Sequence, residues 1–109
     1  MREIQTEFLL DVAKLIEYAD SIGIELTFGE AYRTKEQQRI YVDSGKSKTM
    51  DSMHPKRLAI DFNYFIDGKL TYDVEDVKAL GMFWEGLNEK NEAGMFWKWK
   101  DTPHYQRNI

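Results

Sequence analysis

The run from Leu58 to Phe65 alternates, and it constrains the fold more than any other stretch of the chain. Leu58, Ile60, Phe62 and Tyr64 form one large apolar row, while Ala59, Asp61 and Asn63 form the other, small or polar. A period of two sends successive side chains to opposite faces of a strand. One face is built for burial and the other for a wetter environment. Asp67-Gly68 follows as a hairpin turn signal, with Lys69 to Tyr72 as the return strand. The chain is therefore committed to antiparallel pairing around a strand that carries Asp61 away from the core.

Covering elements are legible on both sides of this hairpin. Phe8, Val12, Leu15, Ile16 and Ala19 recur at helical spacing within a helix from Phe8 to Ile22, and Gly23 is placed to end it. Ile24 to Phe28 is short and rich in β-formers, which predicts a strand. Thr34 followed by Gln37 is a capping-box pattern that opens a second helix through Tyr41 and Val42, closed by Ser44-Gly45. Residues 45–53 are polar and irregular, a surface loop. Asp73 caps a third helix running to about Leu87. Residues 88–94 read as a turn-rich loop, and the MFWKWK and HYQ segments read as closing strands. This order predicts an α+β domain, a small antiparallel sheet flanked by about three helices.

A chain of 109 residues fits one domain, residues 1–109, with one core, and its 42% hydrophobic content can fill that core. The formal net charge of -4, with no cluster of Lys and Arg, argues against nucleic acid as a partner. Cysteine is absent, which excludes disulfides, thiolate zinc sites and cysteine nucleophiles. The opening MREIQTEF has no apolar h-region, so no signal peptide is expected, and no apolar run approaches the ~20 residues of a membrane span. The expectation is a monomer made in the cytoplasm and not inserted into a membrane.

The chain holds two histidines, His54 and His104. Asp61 lies seven positions after the first, and Asp101 three before the second. Two neutral imidazoles and one carboxylate form a set that catalytic zinc favours, with a position left for water. A second carboxylate outside the ligand set is what such a site needs as general base. Spacing alone leaves two readings open: a metal site, or solvated histidines beside structural aspartates and a Thr-Pro turn. A shared metal further requires the chain to fold back after His54, since seven extended residues could span ~23 Å.

A resemblance narrows the choice. Ser52-Met53-His54 through Ala59-Ile60-Asp61 resembles the S-x-H-x-x-G-x-A-x-D motif of zinc D-Ala-D-Ala carboxypeptidases, dipeptidases and L-alanyl-D-glutamate endopeptidases, peptidase family M15. Asp101-Thr102-Pro103-His104 resembles its second motif, an acid three residues before the last zinc-binding histidine. Ala31-Tyr32-Arg33-Thr34 with Gln38 resembles its upstream G-Y-R-S/T…Q segment. The segments occur in family order over most of the chain. Arg57 stands where the motif has Gly, as in a branch common among phage and prophage endolysins, and Ala31 replaces a Gly.

The resemblance implies a hedgehog/D-Ala-D-Ala-peptidase-like fold and a zinc ion held by His54, Asp61 and His104. It implies Asp101 as catalytic base and acid, Arg33 at the substrate carbonyl or carboxylate, and Ser52 and Gln38 beside the substrate. The implied activity is hydrolysis of stem peptides in bacterial peptidoglycan, foremost as an L-alanyl-D-glutamate endopeptidase. A D-Ala-D-Ala carboxypeptidase or dipeptidase, or an inactive zinc-site binding domain, are the alternatives. No wall-binding domain is expected within the chain, and action on the wall would follow release by a holin or another route. Trp84, Trp97, Trp99 and Tyr105 are open between cleft lining and core.

Overall fold

The computed structural model describes residues 1–45 and 52–109. Helix α1 spans Arg2–Ser21, strand β1 Glu25–Phe28, helix α2 Lys35–Asp43, and strands β2 and β3 Ala59–Ile66 and Lys69–Thr71. Helix α3 spans Val74–Leu87, strand β4 Asn91–Ala93, a single 3₁₀ turn Gly94–Phe96, and strand β5 His104–Arg107. The expected α+β domain is therefore present, with three helices and an antiparallel sheet in the order β1-β2-β5-β4, β3 also pairing with β2. Most of the surface loop expected at 45–53 lies outside the described residues. Among those residues, no helix is long and apolar enough to cross a membrane.

Strand β2 organises the molecule, as its alternation demands. Ile60, Phe62 and Tyr64 are buried with Leu58, and they pack with Phe8, Val12, Leu15, Leu80, Trp84 and Tyr105 into one core. Ala59 is buried too, but Asp61 and Asn63 remain half-buried on the opposite face. The turn at Asp67-Gly68 has positive φ at both residues, 52° and 77°, the conformation that two-residue hairpins need to match strand twist. Thr34 caps α2 by accepting from the Gln37 amide at 3.0 Å, and Asp73 caps α3 by accepting from the Glu75 amide at 3.0 Å. Each side-chain oxygen satisfies a first-turn amide that has no partner within its helix.

Four sequence expectations need correction. Helix α1 begins at Arg2 rather than Phe8, because Arg, Glu and Gln are good helix formers even without an apolar stripe. Ile16, expected on its buried stripe, is 41% exposed. The end of the chain differs most. Part of the expected 88–94 loop is β4, which pairs with β5 through Asn91↔Arg107, Glu92↔Gln106 and Ala93↔Tyr105. The MFWKWK segment is instead a 3₁₀ turn followed by bends. Its Met95 is buried, whereas its neighbours Phe96 and Trp99 are exposed, so it lacks the alternation that a paired strand would show.

Candidate metal centre

Asp61 and His104 meet because β2 and β5 pair in a register that makes them direct partners. His54 comes from the turn before β2. That turn closes with the Arg57 amide on His54 O at 3.1 Å and the Leu58 amide on Met53 O at 3.0 Å, which supplies the fold-back that the spacing required. Arg57 sits at φ 58°. It holds the left-handed conformation that a Gly adopts without strain, and its guanidinium lies 4.1 Å from the Tyr32 ring centre. The Arg-for-Gly change thus leaves the turn intact. The backbone of 29–31 braces both ligands: Gly29 N donates to Asp61 O, Asp61 N donates to Glu30 O, and His54 Nδ1 bonds Ala31 O at 3.0 Å.

These bonds decide where the imidazole lone pairs point. Ala31 O is a carbonyl and only accepts, so Nδ1 of His54 carries the proton and Nε2 carries a lone pair. That Nε2 is buried without a hydrogen-bond partner, and it lies 3.2 Å from Asp61 Oδ1. His104 is the mirror case. Its Nε2 bonds Gln106 Oε1 at 2.7 Å, and its Nδ1 faces Asp61 Oδ1 at 3.1 Å. One ligand atom from each of His54, Asp61 and His104 lies within 4.8 Å of the others. Two lone pairs and a carboxylate oxygen crowded together in a buried place repel one another unless a cation sits among them. The three residues therefore fit a metal ion with an N2O donor set.

The protonation states bear the same mark. Burial alone would raise the Asp61 carboxyl, but the adjacent His104 and His54 imidazoles outweigh it and hold it well below the usual carboxylate range. Burial would lower His104, yet the bond to Asp61 and its charge raise it above the ordinary histidine value.

Asp101 stands next to the cluster, its Oδ2 3.9 Å from His104 Nδ1. The bend needed to bring it there is present: the His104 amide closes a turn on Asp101 O at 3.1 Å. From the core side, Tyr64 Oη donates to Thr102 O at 2.6 Å and accepts from the Tyr105 hydroxyl. Gly94 makes room for that bend, since a Cβ there would meet Asp101 O at 2.4 Å and His104 Cβ at 3.0 Å. Burial raises the Asp101 carboxyl; the charges of His104, His54 and Arg33 oppose that rise, and the charge of Asp61 adds to it. A carboxyl held above its usual range takes up a proton more readily, which suits a general base.

Arg33 is close enough for its charge to act on Asp101. Its side chain is 9% exposed and pairs through Nε with Glu30, through Nη1 with Gln38 Oε1, and with the Tyr41 ring at 4.6 Å. Gln38 is wholly buried and acts here as a hold on Arg33. Ser52 Oγ accepts from the His54 amide at 3.1 Å, a local turn bond. The aromatics divide: Trp84 and Tyr105 are core, Trp99 is 73% exposed, and the Trp97 ring lies against His104 with centroids 5.1 Å apart. The sequence reading missed Ala31 O and Gln106 as orienting partners. Gln106 was within reach of it, because His104 and Gln106 share a face in a strand; the Ala31 carbonyl had no side-chain signal.

No family model matches this chain. It is 34% identical over 105 residues to an L-alanyl-D-glutamate peptidase of Listeria phage A118, a match covering 87% of this chain. The chain spans 34% of the length of that relative. Its fold is similar to that of the L-Ala D-Glu endopeptidase ChiX of Serratia marcescens, with a TM-score of 0.71 and 24% identity over 90% of this chain and 78% of the other.

Proposed function

We propose that the chain is a zinc peptidase of the D-Ala-D-Ala carboxypeptidase and L-alanyl-D-glutamate endopeptidase family, cleaving the L-Ala–D-Glu bond of peptidoglycan stem peptides. The observation that carries this reading is the His54–Asp61–His104 cluster, in which a buried, unpartnered His54 Nε2 and the His104 Nδ1 both turn onto one Asp61 carboxylate oxygen. The relatives support the choice of bond, since both are named for it. The absence of thiolates and the N2O set favour zinc among the common divalent ions.

Zinc in such a site acidifies water and polarises a carbonyl. The protein's own groups do the rest. Asp101, beside His104 and raised by burial, takes the proton of the attacking water and returns it to the leaving amine. Arg33 meets the negative charge that develops on the carbonyl oxygen, or a fixed carboxylate of the stem peptide. Glu30, Gln38 and the Tyr41 ring hold the guanidinium, so its planar fork is oriented before substrate arrives.

The test is digestion of purified peptidoglycan by zinc-loaded protein, with mass analysis of the fragments. Release of stem peptides with a free D-Glu amino terminus is expected. Loss of terminal D-Ala alone would replace the endopeptidase with a carboxypeptidase. Zinc binding with no cleavage of any wall peptide would leave a binding domain.

A further inference from the structure

The face of β5 that carries His104 continues past it. Alternation places His104 and Gln106 in one row, Asn108 follows just past the end of β5, and the β4–β5 register sets Glu92 directly opposite Gln106. The four side chains join end to end. His104 Nε2 meets Gln106 Oε1 at 2.7 Å, Gln106 Nε2 donates to Asn108 Oδ1 at 2.7 Å, and Asn108 Nδ2 donates to a Glu92 oxygen. The other Glu92 oxygen accepts from Trp97 Nε1 at 2.8 Å. Trp97 closes the circuit by laying its ring against His104.

We infer that Glu92 is a positioning residue for the metal centre, setting the tautomer of His104 through Asn108 and Gln106. This rests on the reading of His104 as a metal ligand. An ionised carboxylate accepts and never donates, whereas each amide has one accepting and one donating end. Glu92 therefore obliges Asn108 to present its nitrogen, which leaves the Asn108 oxygen for Gln106. Gln106 must then present its own nitrogen to Asn108 and its oxygen to His104. The imidazole answers with a proton on Nε2, and its Nδ1 lone pair is left facing the ligand cluster. Without a fixed end, both amides can turn over together and the circuit runs backwards. Asp61, 3.1 Å from Nδ1, would then draw the imidazole proton onto Nδ1 and block the ligand atom. The circuit opposes that pull. Outer partners of this kind fix ring orientation in metal sites; here the fixing charge stands three hydrogen bonds from the imidazole.

Trp97 makes the proposal sharply testable. In Glu92→Gln its N–H still demands an oxygen, so the new amide must turn its nitrogen to Asn108 and reverse the whole circuit. Zinc affinity, read by competition with a chromophoric chelator, should fall about 10- to 100-fold. In metal-free protein at an alkaline pH where the ring is neutral, imidazole 15N NMR should show His104 moving from the Nε2–H to the Nδ1–H form. His54, oriented by the Ala31 carbonyl, should stay unchanged. Adding Trp97→Phe removes the demand for oxygen and should restore much of the lost affinity, a rescue that a merely structural role for Glu92 does not produce. If Glu92→Gln does not fold, Asn108→Leu cuts the same circuit and should move both readouts in the same direction, by less. Wild-type zinc affinity with His104 kept in the Nε2–H form in the variant that folds would overturn the proposal. Wild-type protein that binds no zinc would instead overturn the metal reading, while the tautomer measurement would still decide the role of Glu92.

Discussion

Asp61 and His104 face each other as paired residues of adjacent strands, whereas Arg33 stands in the loop before α2 and, among the described residues, is held by side chains. The strand side takes its geometry from backbone hydrogen bonds, in a register fixed by the core beneath. The loop side takes its geometry from one carboxylate, one amide and one ring. The two are stitched where residues 29–31 bond Asp61 and His54. A metal centre tolerates little displacement of its ligands, so rigid backbone suits it. A group held by side chains can be retuned residue by residue, and Arg33 is held that way.

The largest expected effect lies at the boundary between the two sides. Asp101→Asn keeps size and removes the proton acceptor, so cleavage of peptidoglycan should fall roughly 10²- to 10⁴-fold with zinc content unchanged. Loss of zinc would make Asp101 a ligand and redraw the strand side; full activity would move the base elsewhere, with Glu30 next in line.

Arg33→Lys probes the loop side alone. Lysine keeps the charge but lacks the planar fork, and it cannot satisfy Glu30 and Gln38 together while meeting substrate. A loss in kcat/KM of about 10- to 100-fold is expected, with zinc affinity close to wild type and a modest fall in thermal midpoint from the partner left unsatisfied. A parallel loss of zinc would mean that the two sides are one mechanical unit.

On the strand side, Gly94→Ala places a methyl group 2.4 Å from Asp101 O. The Asp101–His104 bend must shift, at a cost of about 1–3 kcal/mol in urea denaturation together with weaker zinc binding. Unchanged stability would show that the bend gives way more easily than the backbone bonds suggest.

The pH dependence of the metal-free protein separates the proton from the metal as the shared cation. His104 is raised in the folded state. Its contribution to stability is thus complete below the unfolded value of 6.5 and is lost as pH rises through the folded value. Asp61 is depressed, so its contribution is present above its unfolded value of 3.8 and is lost only as pH falls through the folded value. Denaturation of metal-free protein should show declining stability on going alkaline, and zinc should abolish that decline because it replaces the proton. An identical decline with zinc bound would remove His104 from the ligand set.

The smallest effect concerns the turn that carries His54. Arg57 at φ 58° pays a left-handed cost that Gly avoids, offset by stacking on Tyr32. Arg57→Ala keeps the cost and loses the stacking, so it should be less stable than Arg57→Gly by about 1 kcal/mol. Equal stabilities would mean that the turn relaxes out of the left-handed region.

The alternation of Leu58 to Phe65 was enough to place Asp61 on the face away from the core, because side-chain direction in a strand is a local property. Capping at Thr34 and Asp73 and the Asp67-Gly68 turn were legible for the same reason: each is a contact between residues close in sequence. The motifs around His54, Asp61, Asp101 and His104 named the members of the cluster before any coordinate did. They carried no distances. The meeting of Asp61 with His104 is a matter of β2–β5 register, and that register is set by the core packed beneath it. The sequence misread the MFWKWK segment as a strand because its aromatics signal β-structure by type. Tertiary packing overrode them: the chain there must wrap closely around Asp101, which only Gly94 permits. The Ala31 carbonyl that orients His54 lies 23 residues away, and the Glu92 carboxylate that ends the His104 circuit lies on another strand, so both are contacts that only the folded chain brings together.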